Sequence, residues 1–146
     1  MEVGKANELY EMAVRLAADA QTMRDELRVE FLSGQVAAVA AEYDLGEVVG
    51  VDQIFGGFEN LSFGVTTHDD AGEHRYFVRK YKYGTVAREI RYEHALVRHI
   101  RDKGFTLPAR VYATRAGDTL VTREELLGSE RVERNFAIYE MLTGEN

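Results

Sequence analysis

The sequence has 146 residues, of which 45% are hydrophobic, and its 25 acidic and 18 basic side chains give a formal net charge of −7. This length suits one compact domain, and the acidic balance argues against a nucleic-acid partner, because phosphate backbones are bound through clustered Lys and Arg. No apolar run approaches the ~20 residues of a membrane span, and there is no cysteine, so we expect no membrane partner and a cytoplasmic location.

The first thirty residues predict a long amphipathic helix. Apolar residues recur at alternating intervals of four and three, which places them on one stripe of a helix. The members of this stripe are Leu9, Ala13, Leu16, Ala20, Met23 and Leu27. Two interpretations are open: the helix packs on its own domain, or the stripe is a coiled-coil seam through which the protein forms a homo-oligomer.

The pair Ser33-Gly34 is predicted to end this helix. Ser33 is a favourable N-cap for a second, shorter helix, which is expected to end at Leu45-Gly46. We therefore divide the chain into a helical extension, 1–32, and a domain, 33–146.

The rest of the chain predicts an α+β domain with about five antiparallel strands and one packed helix. Three strands form a meander, a helix follows, and further strands complete the sheet. The expected strands are 47–55, 61–67, 75–81, 111–114, 119–123 and 135–142, and the expected helix is 85–103. The turn Arg115-Ala116-Gly117-Asp118 is expected to join the fourth and fifth strands.

A glycine-rich turn joins the first two predicted strands: Gln53-Ile54-Phe55-Gly56-Gly57-Phe58-Glu59-Asn60. Two adjacent glycines let backbone N–H groups approach a phosphate closely, because no Cβ intervenes. Gly-Gly is also a favoured hairpin connection. Alone, this motif does not distinguish a phosphate loop from a structural turn.

The third predicted strand carries a cation between aromatic residues. Its period of two puts Phe77, Arg79 and Tyr81 on one face. Glu93 follows Arg79 by fourteen residues, in the middle of the predicted helix. By themselves, a strand arginine and a helix glutamate are most often a solvated ion pair.

Together these segments resemble the aminoglycoside phosphotransferase superfamily, in particular its homoserine-kinase-like and choline-kinase-like branch. The resemblance covers about residues 36–146 and rests on five segments in the right order and spacing. They are Gly56-Gly57-Phe58-Glu59-Asn60, Phe77-Val78-Arg79-Lys80-Tyr81, Glu89-Ile90-Arg91-Tyr92-Glu93-His94-Ala95-Leu96, Gly104-Phe105-Thr106-Leu107-Pro108 and Leu142-Thr143-Gly144-Glu145. The resemblance implies the amino-terminal lobe of a protein-kinase-like fold, ending at the hinge.

The resemblance also implies a nucleotide site. Arg79 would contact the ATP phosphates under a glycine-rich lid, and Glu93 would hold Arg79, with Glu89 as the rival for that role. Phe77 would face the adenine, Tyr139 would be the gatekeeper, and the Glu140 carbonyl and Leu142 amide would pair with the edge of the base. The implied nucleotide-binding residues are Gly56, Gly57, Phe58, Asn60, Phe77, Arg79, Glu93, Tyr139, Glu140 and Leu142.

The implied function is transfer of the ATP γ-phosphate to a hydroxyl group of a small acceptor. In this family the catalytic base and the magnesium ligands come from a second lobe, which has no counterpart in this sequence. We therefore expect no catalytic residue and no metal site here, and no activity of this chain alone; ATP, Mg²⁺ and the acceptor would be used by a longer parent protein. The alternative is a non-catalytic interaction protein that keeps the lobe and assembles through the 9–27 stripe.

Overall fold

A computed structural model describes residues 2–54 and 60–142 of the chain. Within these ranges it contains two helices and a five-stranded antiparallel sheet, which confirms the predicted α+β class. The elements are α1 Val3–Ala40, β1 Glu47–Ile54, β2 Leu61–Asp69, β3 Gly72–Lys80, α2 Ala87–Asp102, β4 Val121–Leu127 and β5 Glu130–Glu140. The chain divides into two compact units, Met1–Gly34 and Gln35–Asn146. Neither helix is long and apolar enough to cross a membrane, as far as the described residues go.

Helix α1 is continuous where the sequence predicts a break. It runs through Ser33 and Gly34, so the predicted short second helix is the last part of α1. Glycine in a helix interior costs only about 1 kcal/mol relative to alanine. The next turns carry Val36 and Val39, both fully buried. Their packing outweighs the tendency of Ser33-Gly34 to end the helix.

The strands are arranged in the order β1-β2-β3-β5-β4, with every neighbouring pair antiparallel. The last strand in the sequence therefore lies inside the sheet, between β3 and β4. Each β3 residue from Tyr76 to Lys80 is paired with both β2 and β5. Strand β3 is consequently held on both sides at the segment that carries Arg79.

The predicted turn at 115–118 forms, but it does not join two strands of a hairpin. The Gly117 amide donates to the Thr114 carbonyl at 2.9 Å, and Thr114 makes only an isolated bridge to Tyr43. The actual hairpin joins β4 to β5 through Gly128, whose φ of 65° is in the left-handed region. This hairpin has no apolar alternation in the sequence, because the facing residues 122–125 and 132–135 are mostly charged or polar.

The two faces of the sheet carry different side chains. Phe63, Val78 and Ile138 share one face through their pairing and are buried. The opposite face carries Phe77 and Tyr139, which are paired across β3 and β5. Helix α2 packs through Ile90 onto a buried cluster that also contains Tyr81, Leu120 and Ala137.

Candidate functional site

A cavity of about 410 Å³ lies between β3, the end of β5 and helix α2. Its lining residues are Phe77, Arg79, Glu93, His94, Val97, Pro108, Ala109, Tyr139, Glu140, Met141 and Leu142. Six of them are predicted nucleotide-binding residues: Phe77, Arg79, Glu93, Tyr139, Glu140 and Leu142. The volume is within the range of small-ligand pockets, about 300–1,000 Å³. The fold therefore brings these six residues, from three separate elements, to one concave site.

Arg79 is the cation of this cavity, and three aromatic rings surround it. Its guanidinium carbon lies 5.6 Å from the ring centre of Phe77, 5.9 Å from that of Tyr81 and 5.5 Å from that of Tyr139. Cations are attracted to aromatic faces at these distances. Within the described residues, the guanidinium makes no hydrogen bond or ion pair. Its position is thus fixed by ring faces while its N–H donors remain available for a ligand.

The expected ion pair between Arg79 and Glu93 does not form. Both side chains line the cavity, but none of the ion pairs within 4.0 Å among the described residues joins them, and none joins Arg79 to Glu89. Glu93 is exposed on α2, and the aromatic rings take the place of a carboxylate beside the guanidinium. Arg79 is consequently positioned from its own sheet and not from the helix.

Lys80, the neighbour of Arg79, points to the other face of the sheet. Only 2% of Lys80 is exposed, and its Nζ lies 2.9 Å from Glu125 Oε1 and donates to Gln35 Oε1 at 2.8 Å. A buried ammonium needs such partners, because desolvation strongly disfavours the charged form. Because side chains alternate along β3, Arg79 lies in the cavity, whereas Lys80 is buried on the opposite face and forms a structural ion pair.

A chain of hydrogen bonds forms the back of the cavity. His94, only 3% exposed, lies 2.7 Å from the Tyr139 hydroxyl through Nε2 and 2.7 Å from Thr119 Oγ1 through Nδ1. The Tyr139 hydroxyl is also 2.5 Å from the Tyr81 hydroxyl. A neutral imidazole donates from one nitrogen and accepts at the other, so both of its nitrogens are satisfied here. These hydrogen bonds fix the positions of Tyr81 and Tyr139, two of the three rings that surround Arg79.

Burial keeps this network neutral. Desolvation lowers the pKa of His94 from 6.5 to about 4, with a further lowering from the nearby Arg79 charge that the Asp118 carboxylate opposes. Burial also raises the pKa of the Tyr139 hydroxyl, and its hydrogen bond with Tyr81 raises it further. Arg79 is thus the charged member of this group at neutral pH.

The sequence pattern predicts no role for His94 or Thr119, and for Tyr81 it predicts only a position beside Arg79. A signal for His94 was present, because Ile90, His94 and Val97 follow the i, i+4, i+7 spacing of a buried helical stripe. Ile90 and His94 are the buried residues of α2. A polar residue in such a stripe needs hydrogen-bond partners, but spacing does not reveal that these are Tyr139 and Thr119.

The predicted hinge forms one wall of the cavity. The Glu140 amide donates to the Arg110 carbonyl at 2.8 Å, so this part of β5 is tied to the segment before β4. Leu142 lies just beyond β5, lines the cavity and is exposed. Among the described residues, no loop or turn hydrogen bond uses the Leu142 amide. Its backbone is therefore free to pair with a ligand.

Three of the predicted nucleotide-binding residues, Gly56, Gly57 and Phe58, lie outside the described residues. Asn60 is described, and its Oδ1 accepts a hydrogen bond from the Lys82 amide at 3.0 Å. This bond joins the start of β2 to the chain just after β3. Asn60 does not line the cavity.

A second cavity, of about 530 Å³, lies along α2 and shares Val97 with the first. Arg98, Arg101 and Arg110 are among its lining residues, but none of the predicted nucleotide-binding residues is. Arg101 donates to the Thr106 and Pro108 carbonyls. At least part of this basic character therefore stabilises the loop after α2.

Residues 50–146 match the model of the phosphotransferase enzyme family. Because this match covers more than half of the chain, the protein belongs to that family, and the resemblance to the aminoglycoside phosphotransferase superfamily is confirmed. A comparison with curated proteins gives no match. The matched residues include strands β2 to β5, helix α2 and all six predicted residues that line the cavity.

Proposed function

We propose that this chain is the ATP-binding lobe of a small-molecule kinase, which transfers the ATP γ-phosphate to a hydroxyl acceptor. The observation that carries the proposal is Arg79 in the lining of a part-apolar cavity, surrounded by Phe77, Tyr81 and Tyr139. A nucleotide needs a flat apolar contact for its base and a cation for its phosphates, and both are present within a few ångströms.

The apolar part of the lining suits an adenine base. Phe77, Val97 and Leu142 offer apolar surface, and aromatic contact contributes about 1 kcal/mol beyond buried area. The backbone around Glu140 and Leu142 follows the end of β5, where carbonyl and amide groups can pair with the edge of the base. His94 and Tyr139 are hydrogen-bonded to each other. These two side chains therefore line the site without needing a hydrogen bond from the ligand.

The charges of the lining decide the orientation of the nucleotide. Glu93 and Glu140 are carboxylates and Arg79 is a cation, so phosphates are repelled by the two glutamates and attracted to Arg79. A guanidinium binds phosphate oxygens through two N–H groups at once. We therefore orient the phosphates towards Arg79.

ATP with Mg²⁺ would supply the transferred group in the complete enzyme. The residues of this chain would bind and orient it, whereas the base, the metal ligands and most acceptor contacts would come from a further lobe. This chain alone is accordingly proposed to be inactive. The lack of cysteine supports a reducing compartment such as the cytoplasm, and the acidic net charge supports small-molecule rather than nucleic-acid ligands.

Nucleotide titration followed by calorimetry tests the proposal. Arg79→Met should weaken ATP binding by about tenfold or more, because a charge-assisted contact is lost. Arg75→Met is the matched control: Arg75 lies on the same face of β3 but pairs with Asp52 at 3.0 Å, away from the cavity. Equal effects of the two substitutions, or no binding of millimolar ATP by the unmodified chain, would refute the nucleotide site.

A non-catalytic interaction protein is the second candidate, and the exposed apolar stripe of α1 favours it. Such a protein would have the same fold but would not bind a nucleotide. The same titration separates the two, because only the kinase lobe requires ATP binding that depends on Arg79.

A further inference from the structure

Helix α1 exposes an apolar stripe in the unit Met1–Gly34. Its large members Leu9, Leu16, Met23 and Leu27 are 48%, 64%, 63% and 60% exposed. Every described residue from Glu2 to Phe31 is exposed as well. Helices in proteins gain most of their stability by packing an apolar face, so a partner that covers this stripe would stabilise the segment.

Contacts within the segment do little to replace such packing. Among the described residues 2–34, no ion pair within 4.0 Å is formed. The side-chain hydrogen bonds there are local, such as Gln21 to Asp25 at 2.9 Å and Arg24 to Gln21 at 2.8 Å. Contacts of this kind stabilise an isolated helix only weakly.

We propose that this stripe docks against the same stripe of a second copy of the chain, as an antiparallel two-helix coiled coil. This interface goes beyond nucleotide binding and does not depend on it. Small and large residues alternate along the stripe at intervals of three and four. The alanines are Ala6, Ala13 and Ala20, and the large residues that follow each of them by three positions are Leu9, Leu16 and Met23.

This alternation favours the antiparallel direction. When Ala13 faces Leu16 of the second copy, Ala20 faces Leu9 and Ala6 faces Met23, so each of these layers combines one small and one large side chain. A parallel pair in register would put alanine against alanine and leucine against leucine, with layers of unequal width. Layers that alternate large and small residues pack more evenly.

The charges along one edge of the stripe, together with the number of core layers, favour this register. Lys5, Met12, Asp19 and Glu26 follow one another at intervals of seven. In the register above, Lys5 of each copy lies beside Glu26 of the other, which gives two opposite-charge pairs. A shift by one heptad in one direction would bring Asp19 against Asp19 of the second copy, a repulsive contact. A shift in the other direction would pair Lys5 with Asp19 but leave Met23 with no facing residue in the second copy.

Sedimentation of the full chain tests the interface. We expect a dimer at micromolar concentration, and Leu16→Glu should convert it to a monomer. Val14→Glu is the matched control, since Val14 is 51% exposed on the same helix but lies off the stripe. A monomeric unmodified chain, or a dimer that Leu16→Glu leaves intact, would overturn the proposal.

Charge reversal tests the direction and the register. Lys5→Glu and Glu26→Lys should each weaken the dimer by about tenfold, because two attractive pairs become repulsive. The double substitution should restore affinity to within about twofold of the unmodified chain. In a parallel dimer, charge reversal at Lys5 or Glu26 would leave the affinity unchanged, and charge reversal at Asp19 or Arg24 would weaken it. That result would refute the antiparallel arrangement.

Discussion

The buried imidazole of His94 should make the folded domain sensitive to mild acid. Its pKa of about 4 is below the ordinary value of 6.5, chiefly because burial disfavours the charged form. A group whose pKa is lowered on folding contributes stability above its unfolded pKa and loses it as the pH falls towards its folded pKa. The contribution of His94 is therefore present at pH 7 and lost between about pH 6.5 and pH 4.

The size of this loss follows from the pKa. Each pKa unit corresponds to about 1.4 kcal/mol, so a lowering from 6.5 to about 4 gives a loss of about 3 kcal/mol in the free energy of unfolding. Other groups titrate over the same range, chiefly carboxylates. The measurement must therefore compare proteins that differ only at residue 94.

Urea unfolding, followed by the near-ultraviolet circular dichroism of tyrosine, provides this comparison. His94→Gln removes the titrating group and keeps hydrogen-bonding capacity, so its stability should fall about 3 kcal/mol less than that of the unmodified chain between pH 7 and pH 4. His99→Gln, at an exposed position of the same helix, should follow the unmodified profile. Parallel profiles for His94→Gln and the unmodified chain would refute the neutral, buried imidazole.

Three further changes test the fold outside the cavity. Lys80→Met should lower the free energy of unfolding by about 1–3 kcal/mol in urea unfolding, because the partly buried Glu125 loses its ammonium partner and keeps Arg134; Arg75→Met, at an exposed pair, should change it by less than about 1 kcal/mol. Gly128→Ala should destabilise the β4–β5 hairpin by about 1 kcal/mol in thermal unfolding, because an alanine is strained at a φ of 65°. Gly34→Ala should instead increase helicity and stabilise α1 by about 0.5–1 kcal/mol, measured by circular dichroism, because Gly34 is helical and has open space around its Cα. Loss of stability for Gly34→Ala would contradict the continuous helix.

The sequence predicted the elements whose local signals agree with their packing. The β2–β3 hairpin has a strong turn at Asp69-Asp70-Ala71-Gly72, and the period of two in β3 correctly placed Phe77 and Arg79 on one face. Helix α2 was recognised by its apolar period. In these elements the hydrophobic pattern of the sequence and the packing in the folded domain favour the same conformation.

The errors arose where tertiary packing decides. Gly34 is a local break signal, but the buried turns around Val36 keep the helix continuous. The partner of Arg79 was expected to be Glu93 because both residue types fit an ion pair. Sequence spacing does not fix the distance between a strand and a helix. The period of two predicted Phe77 and Tyr81 beside Arg79, but the third ring, Tyr139, comes from β5 and was visible only in the structure.

The position of β5 inside the sheet has a consequence for synthesis of the chain. Strands β1, β2 and β3 leave the ribosome as a meander that can pair early, but the free edge of β3 stays open until β5 arrives some sixty residues later. The same strand delivers Tyr139, which closes the cavity behind Arg79. A nascent chain that stops before β5 thus has both an unpaired edge, a known aggregation hazard, and an incomplete ligand site. Sheet closure and the ability to bind a ligand should consequently appear together, at the same chain length.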